Sequence, residues 1–401
     1  MDAPAPGTDR FPTFEGLRAL CALGVLAYHA GTFTGLTWGP AARYGGWGPW
    51  VQHMNVGVSV FFVLSGFLLF RPFVRAHLAG RPGPAVVPYL GRRLVRIYPA
   101  YWVALFVSTR LVHLDLGDWW GHVRFYGLLQ IYWGDTVLGG LVQAWSLCTE
   151  VSFYLFLPIY AAVACRGGAT ADQRARRHYV ALAVLYLVGV VVRAQLRAGG
   201  HAIGYATLPA NLDLFAVGMA LAVARARAEV TGRPAGGLAR TVGDQPAMAW
   251  LAALCCYAGV VSLRYPFGLQ SPTVSQEVLR QVLFGIIAGL LVATGVFGPQ
   301  DRGAVRHVLR WRPLAAAGVV SYGIYLWHLT VMEELAKPGS FLYPARYLPL
   351  VAWTTAFTLV VAAASWFALE RPLLRRVHAW SARRTGLARA GETERSSSLA
   401  P

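Results

Sequence analysis

Arg18 and His29 lie eleven residues apart in a stretch, Glu15 to His29, whose other side chains are almost all apolar. At about 100° per residue this is about three helical turns. On a helix both side chains then share one face, about 16 Å apart along the axis. An imidazole and a guanidinium on one stripe of a membrane helix are costly to keep, and such groups mark functional sites. The imidazole suits a general base, because it gains and loses a proton near neutral pH. Glu150 and His328 stand in two further apolar runs. A carboxylate beside a histidine holds the ring in one tautomer and stabilises its protonated form, so Glu150 is the expected partner of His29. Arg93 and Arg96 are three residues apart and share a helix face. With Arg18 they offer fixed forks of N–H donors, the geometry that suits phosphates. Anchoring at the inner membrane surface is the competing account of such arginines, and it suits Arg71, Arg75 and Arg92 well.

The elements that position these residues follow from composition. Of 401 residues, 56% are hydrophobic and 13% charged, with a mean hydropathy of +0.46. Soluble domains are about one quarter charged, so the expected class is an all-α polytopic membrane protein. The net charge of +18 does not indicate nucleic acid, because the arginines fall in short gaps between apolar runs. Abundant Ala, Gly and Arg beside the single lysine, Lys337, suggest a GC-rich bacterial source. That makes the expected location a bacterial plasma membrane, crossed many times.

Ten runs approach the roughly 20 residues that a bilayer core requires: 14–34, 56–73, 94–112, 144–165, 178–197, 209–226, 246–263, 279–298, 314–336 and 347–369. Arginines crowd alternate gaps: Arg71 to Arg96, Arg166 to Arg177, Arg225 to Arg240, Arg302 to Arg312, and the tail from Arg371. The intervening gaps hold few, such as Arg43, Arg124 and Arg264. This asymmetry predicts both termini in the cytoplasm. It puts His29, Glu150 and His328 at one level in the outer half of the membrane and the arginines at the inner level. Arg193 is a further intramembrane charge with no partner assigned. The long gap His113 to Gln143 carries Trp119, Trp120 and Trp133, which suit an interfacial aromatic belt or stacking on sugar rings. The expected organisation is a cytoplasmic segment 1–13, a membrane domain 14–372, and a basic cytoplasmic tail 373–401 with a disordered end.

The five cysteines, Cys21, Cys148, Cys165, Cys255 and Cys256, show no ligand spacing in sequence, so neither a disulfide framework nor a zinc or other metal site is expected. Met1 to Thr13 offers no cleavage pattern for a removable signal peptide.

Several segments resemble the acyltransferase 3 family of bacterial membrane acyltransferases. Arg18 and His29 resemble its Arg-x10-His signature. Gly57 to Phe67, Arg92 to Trp102, Trp145 to Pro158, Asn211 to Met219, Ser321 to His328 and Leu369 to Pro372 resemble the later motifs, in family order. The resemblance implies ten membrane helices with cytoplasmic termini. It also implies transfer of an acyl group, often acetyl, from acyl-coenzyme A to a hydroxyl of a sugar, glycan, lipid or antibiotic. It makes His29 the catalytic base, with Glu150 its partner or a positioner of the acceptor. Arg18, Arg93 and Arg96 would line the path of the coenzyme A donor, and Tyr322 and His328 would lie near the reacting centre. No permanently bound cofactor is implied. The chain departs from many members at Ser59, where they carry Asp. Direct attack and relay through an acylated His29 are both compatible with these residues. A proton-coupled exporter of a glycolipid or antibiotic is the competing function, because such proteins also keep His, Glu and Arg within the membrane.

Overall fold

The computed structural model describes residues 11–37, 46–267, 271–377 and 380. Among them every regular element is helical. The helices are α1 (Thr13–Phe33), α2 (Gly48–Gln52), α3 (Val56–Leu78), α4 (Val86–Leu111), α5 (Trp119–Tyr126), α6 (Trp145–Ala164), α7 (Ala171–Ala198) and α8 (Leu212–Thr231). They continue with α9 (Gly237–Asp244), α10 (Pro246–Ser262), α11 (Val274–Val296), α12 (Ala304–Leu309), α13 (Arg312–Val319), α14 (Ser321–Ala336) and α15 (Tyr347–Ser365), the last ending in a π-type turn, Trp366–Glu370.

Each of the ten apolar runs falls on a helix or a bent helix pair. Among the described residues five spans are both long and apolar enough to cross a bilayer, and the number rises to seven if each of two bent pairs, α9 with α10 and α13 with α14, is one span. The protein is thus a multi-pass membrane protein. α1, α4 and α8 have 21, 26 and 20 residues and are not among those spans; Arg18, Arg93, Arg96 and Asp213 lie on them. The ninth run breaks at Val320, where α13 and α14 meet at 74°. Just before the break α13 packs closely on α1: a Cβ on Gly318 would overlap the carbonyl of Glu15. The first ten residues and the tail from 381 lie outside the described residues. Of the expected cytoplasmic tail, 373–377 prolong the last helix instead.

The connection read as 71–96 is much shorter than its arginines suggested. Arg71 and Arg75 belong to α3, and Arg92, Arg93 and Arg96 to α4. At this end of the bundle Glu229 takes Arg71 at 2.9 Å and Arg225 at 2.6 Å.

α3 is the central element, packed against α1, α6, α8 and α11. Its fit to α8 needs small residues, since a Cβ on Gly218 would run into the backbone of Val63 and Phe67. Phe215 then stacks on Phe62 and on Phe153, with centroids 4.9 and 4.0 Å apart, tying α3, α8 and α6 together. Phe215 is fully buried, and truncating such a ring to Ala costs about 3–5 kcal/mol. α1 runs along this core against α3, α13, α14 and α15, and so carries Arg18 and His29 past two successive cavities.

Candidate active site

The first cavity encloses about 790 Å³ counting its open mouth. Arg18 of α1, Arg93 and Arg96 of α4, Glu150 and Tyr154 of α6, and Tyr322 of α14 line it. The second, about 1310 Å³, is lined by His29 and Tyr28 of α1, Trp145 of α6, Arg193 of α7, and Arg280 and Phe284 of α11. Val58, Phe62 and Tyr325 belong to both linings, so the cavities share a wall. Ser59 faces the second cavity.

His29 is held by a chain of hydrogen bonds whose direction can be worked out. His328 Nδ1 lies 2.8 Å from the carbonyl of Tyr325, an acceptor only, so Nδ1 carries the proton. In the neutral ring Nε2 is then an acceptor, and it lies 3.0 Å from His29 Nδ1. His29 Nδ1 also lies 3.0 Å from the carbonyl of Val25 one turn back. It therefore carries a proton shared between Val25 and His328, and the lone pair of His29 sits on Nε2. Among the described residues nothing bonds to that Nε2, and the ring borders the second cavity. His328 itself is fully buried.

The expected partnership of His29 with Glu150 is corrected by this arrangement. α6 packs on α3 and α4, whereas α14 lies directly on α1. Glu150 accordingly faces the arginine cavity, where Ser65 Oγ donates to it at 2.6 Å and Tyr154 at 2.9 Å. His328 fills the place expected for the carboxylate. Arg18 of α1 does come together with Arg93 and Arg96 of α4, although 75 positions separate Arg18 from Arg93 in the chain. Arg18 meets Glu15 at 3.4 Å, and Arg93 Nε is buried with no partner among the described residues. Three guanidiniums facing one carboxylate in a partly enclosed lining favour an anion. Tyr322 borders this cavity and donates to the carbonyl of Ile97 at 2.7 Å, joining α14 to α4.

Arg193, left without a partner in the sequence, donates to Glu277 at 2.7 Å and to Asn211 at 3.0 Å. Arg280 reaches the same carboxylate at 3.2 Å, and Tyr265 donates to it at 2.5 Å. Glu277 is fully buried. Glu277 escaped sequence reading because the eighth run begins at 279 by hydropathy, while Arg280 lies inside that run and was not singled out. The helix begins at Val274, behind a capping box in which Thr273 and Gln276 hold each other's backbone N–H. The pattern Thr-x-x-Gln before an apolar run was the available signal. Trp119 and Trp120 are exposed and border neither cavity; Trp145 is the tryptophan that does.

Cys165 has neighbours that spacing alone does not reveal. It meets His77 and His178, and the three ligand atoms lie within 4.8 Å of one another. Folding, not sequence spacing, makes this grouping. Both rings are already engaged: His77 Nε2 faces the carbonyl of Gly167, His77 Nδ1 lies 2.9 Å from His178 Nε2, and Tyr160 bonds His178 Nδ1 at 3.2 Å.

An acyltransferase domain matches residues 11–369. A Bacillus subtilis protein, YrhL, named as a candidate peptidoglycan O-acetyltransferase, is 26% identical over 82% of this chain and 50% of its own length. Peptidoglycan O-acetyltransferase OatA of Listeria monocytogenes is 22% identical over 90% of this chain and 55% of its own. Exopolysaccharide production protein ExoZ of Rhizobium meliloti is 28% identical over 80% and 89% respectively. The chain thus spans about half the length of the first two. No solved structure matches it. With the match covering both cavities and α1 to α15, the chain belongs to the acyltransferase 3 family.

Proposed function

We propose that this protein is a membrane O-acyltransferase that moves an acyl group, acetyl by family resemblance, from acyl-coenzyme A to a hydroxyl of a sugar-containing acceptor. The acceptor would be a cell-envelope glycan, a glycolipid or an antibiotic sugar. The observation that supports this best is the free Nε2 of His29, held toward a cavity that shares a wall with one lined by arginines.

In this reading the phosphates of the donor lie against Arg18, Arg93 and Arg96, and the arm carrying the thioester runs along α1 toward His29. Glu150 orders the arginines and is not the partner of the base. His29 Nε2 takes the proton of the acceptor hydroxyl as its oxygen attacks the thioester carbonyl. The tetrahedral intermediate collapses, the C–S bond breaks, and the departing thiolate takes the proton back from Nε2. His29 keeps its Nδ1 proton throughout, donating it to the carbonyl of Val25 and to His328 Nε2. His328 is thus a positioning residue, and Tyr322 fixes α14 against α4 beside the donor.

The same reading takes the ten helices as ten spans of a bacterial plasma membrane. Both termini would be cytoplasmic, and 14–372 would be the catalytic domain between a segment 1–13 and a basic tail 373–401. The arginine cavity, on the N-terminal half of α1, then opens to the side where coenzyme A is found.

Thiol release from acetyl-coenzyme A by purified protein in lipid nanodiscs tests the proposal. The wild type should release thiol, and His29→Ala should lower the rate by about 10²–10⁴ while still binding the donor. Equal rates would remove His29 from the chemistry. Absence of donor binding by the wild type would overturn the donor.

A further inference from the structure

We propose that the His29 cavity takes an uncharged glycosyl ring bearing an apolar aglycone, with Arg280 and Asn55 as the hydrogen-bonding side of the site. This rests on the acyl-transfer reading above and names its acceptor class.

Three observations carry it. The first is charge. Arg193 and Arg280 border the cavity but share the buried Glu277, and Gln281 donates to Asp213 at 2.9 Å behind them. Two guanidiniums and two carboxylates balance, in contrast to the arginine cavity. An acidic sugar would bring a further carboxylate with no cation left to pair with it, a costly arrangement away from water.

The second is a pair of orphaned polar atoms. Arg280 Nε and Asn55 Oδ1 are buried with no hydrogen-bond partner among the described residues, and both side chains line the cavity. One is a donor and the other an acceptor. A hydroxyl serves both, since it donates and accepts; a carboxylate or phosphate can only accept and would leave Asn55 unpaired. The third is the remaining wall. Phe62, Leu138, Val142, Trp145 and Phe284 form an apolar surface more extensive than a single sugar ring needs, which suits an aglycone.

The test uses phenyl β-D-glucopyranoside, methyl β-D-glucopyranoside and phenyl β-D-glucuronide as probes, with the full chain in lipid nanodiscs and acetyl-coenzyme A as donor. The phenyl glucoside should be acetylated with kcat/KM at least tenfold above the other two. Asn55→Ala, and Leu138→Trp at the exposed edge of the cavity, should each raise its KM at least tenfold and leave the KM of acetyl-coenzyme A unchanged. An equal or better glucuronide, or a rise in donor KM in place of acceptor KM, would overturn the proposal. Calorimetric titration of the phenyl glucoside without donor separates the two levels of inference. Binding that Asn55→Ala weakens tenfold, with no transfer, would keep the site and sink the acyl-transfer reading. Thiol release with neither binding nor acetylation of this probe would sink the acceptor class alone.

Discussion

The molecule contains two histidine pairs, and their chemistry differs at the far ends. His77 and His178 lie 2.9 Å apart, with Gly167 accepting beyond one ring and Tyr160 bonded to the other. A single direction of donation, from Tyr160 through both rings to Gly167, satisfies every ring nitrogen. His29 and His328 lie 3.0 Å apart with Tyr325 and Val25 as acceptors. Here both Nδ1 protons are consumed, and the chain ends on the Nε2 lone pair of a ring that borders a cavity. The same interaction therefore ties α3 to α7 in one place and leaves a ring nitrogen without a partner, among the described residues, in the other. What decides is whether the terminal nitrogen has a protein partner, not how buried or how close the rings are.

The largest expected difference separates the two pairs directly. His29→Ala should lower transfer by about three orders of magnitude, whereas His178→Ala should change kcat less than about twofold and be seen only as a lower melting temperature. A catalytic loss in His178→Ala would break the comparison. Next in size are the cavities. Arg96→Ala and Arg93→Ala should raise the donor KM by about 10–100-fold, the loss of one charge-assisted contact of about 1.5–3 kcal/mol, with acceptor KM unchanged. The reverse pattern would exchange the roles of the two cavities. Smaller in activity but visible in stability is the acid between Arg193 and Arg280. Glu277→Ala leaves two buried guanidiniums without their carboxylate and should destabilise the fold by about 3–5 kcal/mol, read as a lower midpoint of thermal unfolding. Asp172→Ala removes an exposed partner of Arg227 and should leave that midpoint in place.

Much of this was legible in the residues. The ten apolar runs fall on helices because hydropathy and helix periodicity report the same physical demand. Arg18, Arg93 and Arg96 were found because guanidiniums in apolar surroundings are few and costly. The partner of His29 was not legible. Depth along a helix does not tell which neighbour it meets, so Glu150 and His328 looked alike until packing put α14, not α6, against α1. Glu277, the partner of Arg193, was hidden because hydropathy starts a span at its first apolar residue, while the helix starts behind its cap, Thr273. Among the described residues five to seven spans are long and apolar enough to cross a bilayer, and α1 and α4, which carry Arg18, Arg93 and Arg96, are not among them.

The central claim is that His328 holds His29 in the tautomer with a free Nε2, and a pair of substitutions at His328 tests it most directly. His328→Ala removes the acceptor and should lower kcat by about 10–100-fold with both KM values unchanged. His328→Gln can accept from His29 with its amide oxygen and donate to Tyr325 with its nitrogen, and should recover most of that loss. Equal losses in the two variants, or a loss that appears in KM instead of kcat, would contradict the account.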